Sequence, residues 1–380
     1  MINDKRLIKT LQKLISYDTT NPPGKEYDCA CWIEKYMRSL GLGVQTICYE
    51  KKRPNIIATL RGSLPRERAK KGASCIMPHV DIVPVGSGWK HNPFGGKIAG
   101  GKMFGRGTSD DKGNTASCLE VMHSLVESGF KPNYDIIMAA TVDEETGSKA
   151  GTIPLLEKGA VKPGLCVVMD SSEFDAIVAQ KGLLHMRIQI FGKKAHGAYN
   201  WRGVSAIEQA AAIINKLKAH KFKFKKHPLL AHPTINIGTI KGGDKVNIVA
   251  DFCEFTVDTR YTPDMKFADI MSQYKRIITS VTQKYKIIID DHQLPYAIDR
   301  KHPAVEMYLK SARAMKCHPQ LKGSEGATVI TFFKKHNIPA FATGWAAHET
   351  AHITDEYIVL KDLCRGTRVL ENYLKAYDSR

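Results

Sequence analysis

Leu184-His185-Met186-Arg187-Ile188-Gln189-Ile190-Phe191 marks the point at which the chain changes texture. Leu184, Met186, Ile188 and Ile190 fall on one side of an extended chain, and His185, Arg187 and Gln189 on the other. That is the pattern of a strand with one wet face. What precedes it reads differently. The runs at 55–60 (NIIATL), 74–79, 134–141 and 165–169 (LCVVM) are continuously apolar and β-branched, and 114–128 carries Leu119, Met122 and Leu125 at helical spacing. Such strands alternating with helices predict an α/β fold whose mostly parallel sheet is covered on both faces. After Gly182, helices at 204–217 and 267–281 alternate with half-exposed strands, including 250–260 and 286–290. Strand, helix, strand, strand, helix, strand is an α+β layer. Helices return at 303–315 and 326–335, followed by a short strand at 338–343 and a last helix at 356–374. The expectation is a discontinuous α/β domain, residues 1–181 and 294–380, interrupted by a smaller α+β domain at 182–293.

The 380 residues are 43% apolar and 25% charged, which excludes a disordered or fibrous chain. No run reaches the ~18 apolar residues of a membrane helix, so no membrane partner is expected. MINDKRLIKT carries charges where a signal peptide needs an apolar stretch, and nine cysteines without a CxxC pair fit reduced thiols. A cytoplasmic protein is the expectation. The net charge of +18 suits nucleic acid or any anionic small substrate equally. Its densest stretch, KLKAHKFKFKKH (216–227), reads as a solvated helix end, and the basic residues at 51–55 and 66–71 as loop. Nucleic acid is therefore not the expected partner.

The chemistry sits in the polar residues that end the apolar runs. His79 and Asp81 in HVDIVP (79–84) point the same way along an extended chain, so a carboxylate can support the imidazole. Asp110, in GRGTSDDKG (105–113), falls just before a helix start, where capping is an ordinary role for Asp. In DEETGS (143–148), Glu144 and Glu145 follow an apolar run; in extended backbone they would point oppositely, one free to bind metal and the other to act as a base. Asp170 ends LCVVM, and His352 stands in HITDEY (352–357). Two histidines and three carboxylates at strand ends suit borderline-hard divalent ions. Two such ions balance Asp110, Glu145, Asp170 and a hydroxide, leaving Glu144 as proton acceptor.

In order, HVDIVP, PFGG (93–96), GRGTSDDKG, DEETGS, KKAHGA (193–198), GGDKVNIV (242–249), DTRYTPD (258–264) and HITDEY run through the chain. This order resembles the zinc peptidase and deacylase family of acetylornithine deacetylase, succinyl-diaminopimelate desuccinylase, aminoacylase, carboxypeptidase G and carnosinase-type dipeptidases. The resemblance covers nearly the whole chain. It implies a zinc-peptidase-like catalytic domain and a ferredoxin-like inserted dimerisation or lid domain. It implies two divalent metals, zinc with cobalt or manganese as alternatives. His79 and Asp170 would hold one, Glu145 and His352 the other, with Asp110 bridging. Asp81 would support His79, Glu144 would be the general base and acid, and the Asp110–Asp111 peptide would be cis. In the lid, His196 resembles a histidine that reaches a neighbouring active site to stabilise the oxyanion. Asn247 and Arg260 resemble residues that hold the substrate carboxylate, and an Arg there offers a bidentate fork. Residues 323–326 match the family's Gly-rich substrate loop only loosely.

The implied activity is hydrolysis of the amide of a small anionic N-acyl amino acid, by a homodimer. The family's deacylases commonly carry Gly-Glu-Pro at the third carboxylate, whereas this chain has Met169-Asp170-Ser171. Asp there resembles the dipeptidase and aminopeptidase branches, so a dipeptidase or carboxypeptidase acting on short peptides is the alternative. Length and the compact insertion resemble the deacylases. A metal-free basic binding protein is the remote third reading.

Overall fold

Asn3 opens the first helix by accepting a hydrogen bond from the Arg6 amide at 3.1 Å, and Leu7, Leu11, Leu14 and Ile15 form its buried stripe. The computed structural model describes residues 1–64, 72–347 and 349–379; the basic residues read as loop at 66–71 lie outside the described residues. Up to Gln180 the elements are α1 (Asp4–Ile15), α2 (Tyr27–Ser39), β1 (Gly43–Glu50), β2 (Arg53–Leu60), β3 (Ser74–Met77), β4 (Lys97–Ala99), β5 (Lys102–Phe104), α3 (Lys112–Glu127), β6 (Ile136–Ala140), α4 (Thr152–Glu157), β7 (Leu165–Met169) and β8 (Ala176–Gln180). Then come β9 (Gly182–Phe191), α5 (Ala206–Ala219), β10 (Thr234–Gly242), β11 (Phe252–Tyr261), α6 (Phe267–Thr279), β12 (Tyr285–Gln293) and β13 (Tyr296–Ala297). The chain continues through α7 (Pro303–Ala314), β14 (Leu321–Ser324), α8 (Ile330–Lys334), β15 (Ala340–Thr343), β16 (Tyr357–Val359) and α9 (Leu360–Asp378).

These elements form two compact units, one of 1–178, 298–322 and 332–380, the other of 179–297 and 323–331. In the first, strands run in the order β1-β2-β6-β3-β7-β15-β8. The centre, β6-β3-β7-β15, is parallel and the flanks are antiparallel. The central strands are buried on both faces, which is why β3 and β7 carry no polar alternation. Helix α3 is buried through its first three turns, and even Lys112 is inaccessible, its ammonium donating to the Tyr17 carbonyl at 2.7 Å.

The second unit is a four-stranded antiparallel sheet in the order β10-β11-β9-β12. With α5 and α6 on one face, this is the ferredoxin-like arrangement. Leu184, Met186, Ile188 and Ile190 of β9 pack there with Phe255, Val257 and the helices, while His185, Arg187 and Gln189 stay half-buried.

Two elements differ from the expectation. The helix read at 326–335 is reduced to α8, because 323–331 packs with the second unit: Gln180 accepts from Thr328 and its amide donates back to the Thr328 carbonyl, and Lys181 pairs with Glu325. The last helix starts at Leu360 rather than 356, because Tyr357, Ile358 and Val359 pair with β5. Helix α5 ends at Ala219, close to the end expected for it, and the basic stretch runs on beyond it with Lys221, Lys223, Lys225 and Lys226 exposed.

Gly366, inside α9, tests the packing. Helix propensity alone favours Ala over Gly by about 1 kcal/mol. Here an added Cβ would lie 2.1 Å from Cδ2 of Trp345, which is 1% exposed and donates to Ser117 Oγ at 2.8 Å. Gly366→Ala is expected to lower unfolding free energy by about 1–3 kcal/mol in urea titration; a stabilised variant would contradict this packing.

Candidate active site

His79 leaves β3 two residues after Met77 and makes a parallel bridge with Thr141, which continues the line of β6. Its ring is 3% exposed, its Nε2 lies 3.0 Å from Asp110 Oδ1, and its Nδ1 lies 3.2 Å from the Asp81 carbonyl and 3.4 Å from Asp81 Oδ1. The second oxygen of Asp110 lies 3.1 Å from His352 Nε2, which also reaches Glu145 Oε1 at 3.2 Å. One carboxylate thus joins two imidazoles. His79, Asp110 and Asp170 form one group whose ligand atoms all lie within 4.8 Å of one another, and Asp110, Glu145 and His352 form a second.

Each of these side chains is delivered by a strand end or a loop. Asp170 directly follows β7, and Asp110 precedes a cis peptide to Asp111 just ahead of α3. Asp111 occupies the N-cap position without a side-chain cap bond; it accepts from the His79 amide at 3.0 Å and from Asn114 Nδ2 at 2.6 Å instead. The DEET segment is a turn, not the extended chain expected, because Asp143 sits at φ 65° and is tied to Arg53 at 3.0 Å and to the Ala150 amide at 2.9 Å. Asp81, fully buried, accepts from both the Glu144 and Glu145 amides at 3.1 Å, and from Asn21 Nδ2 at 2.9 Å. It therefore sets the turn that carries both glutamates as well as supporting His79.

The electrostatics follow from crowding acids in a dry place. Burial raises the Glu144 carboxyl well above its usual range, and Asp170, Asp110 and Glu145 add to that. Burial and Asp110 push Asp170 up to about 6, and burial also raises Glu145. Asp110 goes the other way: against its own burial, hydrogen bonds from His352 and His79 hold it below the carboxylate range. His352 is pushed up to about 10 by its bonds to Asp110 and Glu145. Raised acids beside raised histidines describe a cluster short of positive charge. Its nitrogen and oxygen donors fit divalent cations. Among the described residues, the Glu144 carboxylate takes part in no hydrogen bond, so it is not committed to a structural partner.

His196, Asn247 and Arg260 belong to the second unit. His196 caps the short helical turn Gly197–Arg202, accepting from the Ala198 amide, and bridges Ile248, which places it beside Asn247, whose carbonyl accepts from the Gly197 amide at 2.8 Å. Arg260 is near the far end of β11, its guanidinium engaged by Asp258 at 2.9 Å. From Phe252 to Arg260 is eight strand steps, roughly 27 Å at ~3.4 Å each. Asn247 precedes that strand, so one chain cannot offer Asn247 and Arg260 to the same carboxylate.

Residues that reading the motifs passed over are those holding the loops. Glu356, fully buried, accepts from the amides of Gly107, Ser109 and Asp110 at 3.1, 2.8 and 3.1 Å and pairs with Arg106 at 2.7 Å. Arg53, 5% exposed, joins Glu26 to Asp143. An acid inside HITDEY and an Arg inside GRG were the available signals.

The family model for Peptidase family M20/M25/M40 matches residues 75–376. The N-formyl-4-amino-5-aminomethyl-2-methylpyrimidine deformylase of Bacillus subtilis (strain 168) is 25% identical over 99% of this chain and 95% of its own. The acetylornithine deacetylase of Edwardsiella ictaluri (strain 93-146) is 28% identical over 76% of each. Among solved structures, aminopeptidase PepT from Bacillus cereus ATCC 10987 superposes with a TM-score of 0.83 at 22% identity, covering all of both chains. With its polar strand ends gathered into two overlapping nitrogen and oxygen clusters, the chain belongs to the M20/M25/M40 peptidase family, as a hydrolase of amide or peptide bonds.

Proposed function

We propose that the chain is a deacylase that hydrolyses the amide of N-acyl amino acids, with two zinc ions at the paired clusters and cobalt or manganese as substitutes. The observation that carries it is the sharing of Asp110, one oxygen toward each imidazole, with a Glu144 carboxylate that takes part in no hydrogen bond among the described residues. His79 and Asp170 would hold one ion, Glu145 and His352 the other. Bound there, the ions supply the positive charge that polarises a scissile carbonyl and brings the pKa of water toward neutrality. They also supply the charge that lets Glu144 ionise. Glu144 then takes a proton from the attacking water and returns it to the leaving amine. Asp81 keeps the His79 ring and the Glu144–Glu145 turn in register throughout.

His196 would donate to the developing oxyanion, and Arg260 would exchange Asp258 for the substrate carboxylate. Because Asn247 and His196 lie far along β11 from Arg260, the reading assigns the two sets to different copies in a homodimer. A cavity of about 920 Å³ is lined by Trp201, Val204, Ile207 and the two chain neighbours of Asn247, Val246 and Ile248. Trp201 is 72% exposed and Val246 wholly so, apolar surface of the kind partners cover. No helix among the described residues is long and apolar enough to cross a membrane.

Asp170 followed by Ser171 favours a second reading, a dipeptidase or carboxypeptidase of the same family. A panel of N-acetylornithine, N-succinyl-diaminopimelate, other N-acyl amino acids and dipeptides separates the two. Acylated substrates are expected to give the higher kcat/KM, and turnover of dipeptides alone would replace the first reading with the second. A basic binding protein would instead hold less than about one metal per chain and bind DNA with steep salt dependence.

Glu144→Gln is expected to lower kcat by roughly 10²–10⁴, while metal content by atomic absorption stays at the wild-type level. Substantial residual turnover removes Glu144 from its role. Metal uptake also has a proton signature. His352, raised to about 10, is protonated at pH 7 in the metal-free protein. Its ion pairs stabilise that form fully below the unfolded value near ~6.5, and that contribution is lost as pH rises through about 10. Ligation needs the neutral ring, so zinc binding at pH 7 should release about one proton or more per chain. Calorimetry in buffers of different ionisation enthalpy measures this, and an uptake independent of buffer would contradict it.

A further inference from the structure

His352 sits in the left-handed region at φ 67°, and Glu349 and Asp355 on either side of it both have φ 54°. None is glycine. Left-handed residues of this kind persist only where their surroundings hold them. Arg106 supplies that hold. Its guanidinium, in a residue 2% exposed, donates to the carbonyl of His352 at 3.3 Å and of Ile353 at 3.1 Å, and pairs with Glu356 at 2.7 Å. The indole of Trp89 lies 5.1 Å from it. Glu356 is itself fixed by the amides of Gly107, Ser109 and Asp110, so the fork is anchored on the loop that presents the shared carboxylate. Loop 105–110 thus grips the backbone of the histidine that its own Asp110 faces. A second link, from Ser109 Oγ to Thr350 Oγ1 at 2.9 Å, ties the same two loops but touches neither carbonyl.

We propose that Arg106 is a positioning residue for His352. It holds the left-handed backbone that aims the imidazole at Asp110 and Glu145, and so governs the affinity of the Asp110–Glu145–His352 site while leaving the His79–Asp110–Asp170 site intact. The planar fork is what spans two successive carbonyls and a carboxylate together; a lysine could keep the charge beside Glu356 but not that span. The inference rests on the metal reading given above.

Calorimetric titration of the metal-free protein with zinc tests it, using wild type, Arg106→Lys, His352→Ala and the double variant. Wild type must first show two sites; fewer would overturn the metal reading itself, whatever Arg106 does. Given two, Arg106→Lys should weaken one site by roughly 10–100-fold and change the other by less than about three-fold. The double variant should match His352→Ala alone, because a residue acting through His352 has nothing left to act on. Equal losses at both sites, unchanged affinities, or additive losses in the double variant would overturn the proposal. Should Arg106→Lys fail to fold by circular dichroism, Arg106→Gln, which leaves the Glu356 carboxylate on the amides of Gly107, Ser109 and Asp110, is judged by the same non-additivity with His352→Ala.

Discussion

Two imidazoles meet on one carboxylate. Asp110 gives Oδ1 to His79 and Oδ2 to His352, from segments more than two hundred residues apart, and every other part of the site is arranged to let those contacts form. Buried acids repel one another and resist ionisation, so a cluster of Asp110, Glu144, Glu145 and Asp170 has an intrinsic tendency to protonate. The histidines bring only Asp110 of these four below its usual range; Glu144, Glu145 and Asp170 stay raised. The fold thus gathers carboxyl groups whose ionised forms need positive charge beside them. This gives the unfavourable burial of so many carboxyl groups a chemical purpose.

Around the cluster, three further acids serve backbone rather than metal. Asp81 receives the two amides of the glutamate turn, Asp111 the amide of His79, and Glu356 three amides of the loop before α3. Each converts a loop into a defined shape where strand and helix hydrogen bonds have run out. A carboxylate receiving several backbone N–H groups retains its solvation in another form, which makes its burial tolerable. The central parallel strands beneath them are continuous apolar chain and supply a rigid platform, so the loops need only orient the final side chains.

Much of this was legible in the sequence, for identifiable reasons. β7 and β9 follow from burial pattern alone, the first apolar throughout and the second alternating. The convergence of His79, Asp110, Glu145, Asp170 and His352 was implied by the resemblance of the motif order to the family; only His79 and Asp170 come just after buried strands, while Asp110 and His352 come from loops. What escaped depends on long-range pairing. The DEET turn is made by the left-handed Asp143 and its bond to Arg53, ninety positions away, which no local rule anticipates. β16 forms only because β5 is there to pair with it, shortening the last helix. Glu356 and Asp111 resemble ordinary turn and cap residues until their partners are known. The separation of Asn247 from Arg260 needed the strand between them to be placed.

Everything proposed for the site turns on Asp110 being able to serve two metal ions at once. Anomalous diffraction at the zinc edge, from crystals grown with excess zinc, tests it most directly. The account predicts two peaks about 3.5–4 Å apart, one against His79 and Asp170, the other against Glu145 and His352, with an Asp110 oxygen on each. A single peak, or two peaks that leave Asp110 on only one of them, would contradict it.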